Sequence, residues 1–111
     1  MEPSNNRQSF GELIRGNTPV LVDFTATWCG PCKMMKPILE QVHKRLGEQV
    51  KIIKVDIDQS PAAANAYQVQ SVPTLILFQQ GKILWRNSGV IPAPQLESII
   101  QQQLSTASNA R

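Results

Sequence analysis

The chain has 111 residues, enough for one domain that buries a core without a metal or a disulfide staple. Apolar residues make up 41% and charged residues 17%, a globular balance that argues against a disordered chain. The 11 basic and 8 acidic residues are scattered, so the formal charge of +3 marks no nucleic-acid patch, and no run approaches the ~18 apolar residues of a membrane span.

Met1 to Gln8 shows no apolar period and is expected to be loose. Ser9 with Glu12 three residues later reads as a capping box, opening a short helix whose apolar side is Phe10, Leu13 and Ile14. Gly16-Asn17-Thr18-Pro19 ends it. Val20 to Ala26 is apolar on both faces, as a central parallel strand covered on both sides should be. Pro31 suits the first turn of the next helix, Met35, Ile38, Leu39, Val42 and Leu46 follow at helical spacing, and Gly47 is a stop. Pro37 falls inside that helix and should bend it. Val50 to Ile57 is a second strand, and Ser60-Pro61 opens an Ala-rich helix ending near Tyr67. Thr74 to Phe78 and Lys82 to Arg86 read as a hairpin through Gln79-Gln80-Gly81. Pro94 starts a last helix with the stripe Leu96, Ile99, Ile100 and Leu104, and Ser105 to Arg111 is expected to fray. This order implies an α/β sandwich: two parallel strands joined by a helix, then an antiparallel hairpin.

Both cysteines lie in Trp28-Cys29-Gly30-Pro31-Cys32-Lys33. Two cysteines three apart can close a small ring within one helical turn and reopen it without unfolding, which is what a two-electron redox switch needs. Cys29 falls at or just before the helix N-terminus, where free N–H groups and the helix dipole favour a thiolate, with Lys33 and Lys36 adding positive potential. Cys32 is a turn further in and is expected to be buried and protonated at rest. Cys29 should therefore attack a substrate disulfide and Cys32 should resolve the mixed disulfide. Zinc is the alternative, but zinc usually takes four protein ligands. The only histidine is His43, on the far half of the helix, so a metal would require two chains.

Asp23 interrupts the first strand six residues before Cys29. An exposed strand position is the bland reading. If it is buried, its carboxyl should titrate upward, toward neutrality, and could take the Cys32 proton. Lys54 lies mid-strand between Ile53 and Val55, where a snorkelling surface lysine is the simple reading. Pro73 opens the third strand, and a trans bond there would be ordinary.

The cysteine motif and the element order together resemble the thioredoxin family, over about residues 9 to 104. That resemblance implies one domain with a central mixed sheet of about four strands flanked by helices on both faces. It matches Asp23 to a buried aspartate, Lys54 to its lysine neighbour, and Pro73 to a cis proline that faces the cysteines and exposes the Val72 backbone. It matches Trp28, Gly30, Pro31, Val72, Gly89 and Val90 to a flat contact surface for protein substrates around an exposed Cys29. The implied activity is reduction of protein disulfides by a monomer with no bound cofactor, recharged by a flavin- and NADPH-dependent reductase. Membranes and nucleic acid are not implied as partners. A polar Met1 to Ser9 without a signal core, and a cysteine pair too sparse for a disulfide framework, make a reducing cytoplasm the expected compartment. A binding module that uses the surface without the electrons is the second class. The chain departs from the family in three places. The usual N-terminal edge strand is expected to be missing or rudimentary, Thr25 stands where an aromatic residue is common, and Trp85 stands where a small one is.

Overall fold

The computed structural model describes residues 9–109. In chain order these form α1 (Phe10–Arg15), β1 (Val20–Thr25), α2 (Gly30–Leu46), a 3₁₀ turn (Gly47–Gln49), β2 (Lys51–Asp56), α3 (Pro61–Ala66), β3 (Thr74–Gln79), β4 (Lys82–Ser88) and α4 (Ala93–Asn109). Among the described residues there is one sheet of four strands, in the order β2-β1-β3-β4. β1 and β2 are parallel and are joined through α2, while β1–β3 and β3–β4 are antiparallel.

The period-two alternation of β1 and β3 divides the core. Leu21, Leu75 and Leu77 face Met35, Leu39 and Val42 of α2 and Leu96 and Ile100 of α4. Val20, Val22, Phe24, Ile76 and Phe78 face the opposite way, with Ile14 of α1 and the half-buried Ala63 and Tyr67. Phe10 closes that layer edge-to-face, its ring centroid 6.4 Å from that of Phe24 and 6.1 Å from that of Phe78. The capping box expected at Ser9 and Glu12 holds the start of α1.

The hairpin turn has positive φ at both Gln80 and Gly81 (55° and 79°), the twist that suits two antiparallel strands. Its N–H groups donate to Gly16 and Ile14 carbonyls, which ties it to the end of α1. β4 bulges opposite Leu77/Phe78, and both Leu84 and Trp85 pack half-buried against the α2/α4 side. Trp85 is therefore packing.

α2 continues as one helix through Pro37, which costs it the bond to the Lys33 carbonyl. One expectation differs from the structure. α4 continues to Asn109, past the expected end at Leu104. No Gly or Pro lies between Leu104 and Asn109 to stop it, and Ala107 favours a helix. The N-terminal segment and its edge strand lie outside the described residues.

Candidate functional site

The C-terminal end of β1 delivers the chain to a tight turn, closed by the Cys29 N–H donating to the Ala26 carbonyl at 3.2 Å, and α2 begins at once. Cys29 is the N-cap of α2 (φ −92°, ψ 113°), with Pro31 in the first turn. Its Sγ accepts the Cys32 N–H at 3.1 Å, the place a capping serine or aspartate oxygen normally fills. A sulfur held there faces the positive end of a 17-residue helix. Cys29 and Cys32 form a disulfide with Cα atoms 5.3 Å apart.

Burial does not separate the two cysteines. Cys29 is 4% exposed and Cys32 6% exposed, so the expectation of an open Cys29 beside a buried Cys32 needs correcting. What distinguishes them is the cap position. Cys29 receives an N–H and the helix end, whereas Cys32 is one turn inside and borders a groove with Thr25, Lys36, Lys54 and Gln59.

Opposite Cys29 the chain turns into β3. The Val72–Pro73 peptide is cis, and the Val72 carbonyl oxygen lies 3.6 Å from Cys29 Sγ. Pro73 is buried, and its carbonyl accepts the Gly89 N–H at 2.8 Å. The Thr74 hydroxyl donates to the Ser71 carbonyl at 2.7 Å, so the turn is pinned from both sides.

An apolar rim surrounds this point. Trp28 is 68% exposed, Val90 is 37% exposed, Gly30 and Pro31 are exposed, and Val72 and Gly89 are half-buried. Met34, 59% exposed, belongs with them, since it lies one turn along α2 from Gly30 and Pro31. The sequence carried a signal for it: Met34 is an apolar residue off the buried stripe of its helix.

A second missed residue is Asp58. Its Oδ2 accepts the Trp28 Nε1–H at 2.8 Å. Asp56 Oδ1 in turn accepts the N–H groups of Asp58 and Gln59, an Asx turn that fixes where Asp58 stands. Losing a charge-assisted bond at an exposed site is worth about 1 kcal/mol. Asp58→Ala is therefore expected to shift Trp28 fluorescence and lower kcat/KM for a protein disulfide about fivefold, with thermal stability nearly unchanged. Unaltered kinetics would show that the ring needs no tether.

Asp23 lies on the α2/α4 face of β1, in line with Leu21, and is 1% exposed. Burial pushes its carboxyl up to about 6, against a smaller opposing pull from the Lys54 cation. Lys54 is Asp23's register partner on β2 and is itself exposed. Asp23 Oδ1 is buried without a hydrogen-bond partner. Among the described residues no three His, Cys, Asp or Glu side chains gather as a metal site would require. No helix among them is long and apolar enough to cross a membrane.

A disulfide at a helix N-cap, faced by a main-chain carbonyl and ringed by apolar side chains, defines a thiol–disulfide oxidoreductase. The Thioredoxin family model matches residues 3–102. A thioredoxin-like protein of Synechocystis sp. is 53% identical over 94 residues, covering 84% of this chain and 90% of that one. The bifunctional thioredoxin reductase/thioredoxin of Mycobacterium leprae is 48% identical over 80 residues, 72% of this chain and 18% of that protein. The crystal structure of oxidized mitochondrial thioredoxin 3 from Saccharomyces cerevisiae superposes with a TM-score of 0.74 at 36% identity, covering 83% of this chain and 86% of that one. The chain belongs to the thioredoxin family, and it is a disulfide oxidoreductase that works through the Cys29–Cys32 pair.

Proposed function

We propose that this protein is a general reductant of protein disulfides in which each site residue has a separate task. The observation that carries the reading is the Cys32 N–H held 3.1 Å from Cys29 Sγ at the mouth of α2. In the reduced protein that bond and the helix end stabilise a Cys29 thiolate. The thiolate attacks one sulfur of a substrate disulfide, forming a mixed disulfide and expelling the substrate's other sulfur as a thiolate. Cys32 then loses its proton and attacks Cys29 Sγ. The second substrate thiolate leaves, the Cys29–Cys32 disulfide forms, and two electrons have passed to the substrate.

Asp23 is the base in the second step. It is a buried carboxylate whose affinity for a proton lies near neutrality, and Lys54 stands beside it at the rim of the groove that reaches Cys32. Val72 offers its main chain to an extended stretch of substrate next to the target sulfur. Trp28, Gly30, Pro31, Met34, Gly89 and Val90 form the apolar surface on which the substrate rests, with Pro73 setting its inner edge. An apolar surface with few charges suits many protein partners better than one small molecule.

The cysteine pair carries the electrons, so no bound cofactor is needed. A flavin- and NADPH-dependent reductase recharges the pair; the Mycobacterium leprae relative, named as reductase and thioredoxin in one chain, supports that partner. A dithiol that must return to the reduced state favours a reducing cytoplasm, and a single domain acting on large substrates favours a monomer.

Insulin reduction with dithiothreitol as electron source tests the activity. The wild type is expected to accelerate precipitation of the insulin B chain, and Cys29→Ser is expected to match the rate without protein. A wild type no faster than dithiothreitol alone would end the reading.

A further inference from the structure

Arg86 has no part in the redox chemistry, and in the sequence it is one cation among 11 basic residues. It lies on β4 opposite Ile76, on the face that covers α3. From there its guanidinium crosses to the C-terminal end of α3. One terminal nitrogen donates to the Tyr67 carbonyl and the other to the Gln68 carbonyl, the latter at 2.8 Å.

Those carbonyls belong to a turn that the local sequence does not favour. α3 ends in a Schellman arrangement: the Val69 N–H donates to the Ala64 carbonyl at 2.9 Å and the Gln68 N–H to the Asn65 carbonyl at 3.1 Å. The residue that must turn left-handed is Gln68, at φ 54°. Glycine is the usual occupant, because a side chain there is disfavoured. Arg86 grips the carbonyls on either side of the Gln68 Cα, those of the peptides that enter and leave this turn. Its charge also opposes the negative end of the helix.

The chain then runs through Val69, Gln70 and Ser71 to Val72, whose carbonyl faces Cys29. The far end of this segment is tied to β4 as well: Gly89 donates to Pro73, and the Thr74 and Ser88 hydroxyls lie 3.3 Å apart. β4 thus holds the Val72 segment at both ends, and Arg86 is the upstream anchor. We propose that Arg86 is a positioning residue for disulfide reduction, clamping the left-handed turn at Gln68 so that the Val72 main chain stands where a substrate polypeptide can pair with it beside Cys29. This rests on the reading that Val72 receives the substrate backbone.

The role predicts a selective loss. A polypeptide disulfide uses the Val72 main chain; a small aromatic disulfide needs only the sulfur. Two substrates are therefore compared on the full chain, insulin and dithiobis(nitrobenzoate), with melting temperatures measured alongside. Arg86→Ala is expected to lower kcat/KM for insulin roughly tenfold, through a misplaced main chain, while the rate with dithiobis(nitrobenzoate) changes less than about twofold. Arg86→Lys, with one donor group in place of the fork, is expected to fall between. Gln68→Gly in the Arg86→Ala background is expected to restore most of the insulin rate, because glycine adopts the turn unaided.

An insulin-to-small-disulfide ratio that stays at the wild-type value in Arg86→Ala overturns the proposal, whatever happens to the melting temperature. So does failure of Gln68→Gly to restore the ratio. If wild type shows no preference for insulin over dithiobis(nitrobenzoate) beyond that of dithiothreitol, the substrate reading of Val72 fails instead. The three results are distinguishable in one set of assays.

Discussion

Cys32→Ser is expected to stop turnover and to accumulate a covalent complex with a disulfide-bearing protein, joined through Cys29 and released by dithiothreitol. The expectation follows from where the two sulfurs stand. At the cap of α2, Cys29 Sγ accepts the Cys32 N–H at 3.1 Å and faces the helix end. A charge in that position gains about 0.3–1 kcal/mol from the dipole, up to ~2 when partly buried. At about 1.4 kcal/mol per factor of ten, this is a roughly twofold to more than tenfold preference for the thiolate, before the hydrogen bond is counted. Cys32 has no such position, so its work begins only when the mixed disulfide supplies a sulfur to attack. With serine at 32 the first step proceeds and the second cannot, since a hydroxyl does not displace a sulfur here. Non-reducing electrophoresis should show one-to-one adducts with Cys32→Ser and none with Cys29→Ser. Adducts that persist in Cys29→Ser would invert the roles of the two cysteines. Near-equal burial of the cysteines makes this a test of electrostatics and not of access.

The parts that were legible in the sequence are those fixed by local pattern. Apolar residues on both faces of Val20 to Ala26 marked a covered central strand, and β1, Val20–Thr25, is one. The Ser9/Glu12 box, Pro31 in the first turn and Gly47 at φ 55° are local backbone devices, and each appears where its residue type needs it. The apolar flanks of Asp23, Val22 and Phe24, weighed against an exposed position without deciding it, and Asp23 is buried. What was not legible depends on contacts across long stretches of chain. Asp58 reaches Trp28 from 30 residues away, and Arg86 reaches back 18 and 19 residues to α3. Neither leaves a periodic trace. The shielding of Cys29 also escaped, because Val72, brought against it by the fold, covers a sulfur that the sequence alone leaves open. The cis bond at Pro73 was implied by family resemblance alone; ordinary preference favours trans.

Asp23→Asn is expected to give a protein that gains stability relative to wild type as pH rises and is slower to resolve its mixed disulfides. The stability effect has a definite sign. Asp23 titrates near 6 in the folded chain, raised from 3.8 chiefly by burial, with Lys54 pulling the other way. The folded state therefore holds a proton that the unfolded state has already lost, and stability falls as pH rises from about 3.8 to beyond 6. A carboxyl that binds its proton more than a hundredfold more tightly when folded costs the fold about 3 kcal/mol above that window, at about 1.4 kcal/mol per factor of ten. Asparagine carries no charge at any pH. Whatever its amide costs in a site where Asp23 Oδ1 already lacks a partner, that cost does not vary with pH. The stability difference between variant and wild type should thus grow by up to about 3 kcal/mol in the variant's favour between about pH 4 and pH 8, as measured by urea unfolding of the oxidised proteins. A difference that stays flat across this range would mean that Asp23 is not the group being titrated. Lys54→Gln should move the wild-type transition upward in pH, because it removes the one charge that favours the ionised carboxylate. The kinetic effect follows from the same proton. A base that titrates near neutrality accelerates thiol attack when it is ionised, and general-base assistance of this kind contributes about 10²–10⁴-fold at most. Asp23→Asn should therefore lengthen the life of the mixed disulfide at neutral pH and remove the rise in resolving rate near pH 6. A carboxylate that destabilises the fold and speeds the second step would explain why a charge stands in the middle of an otherwise apolar strand.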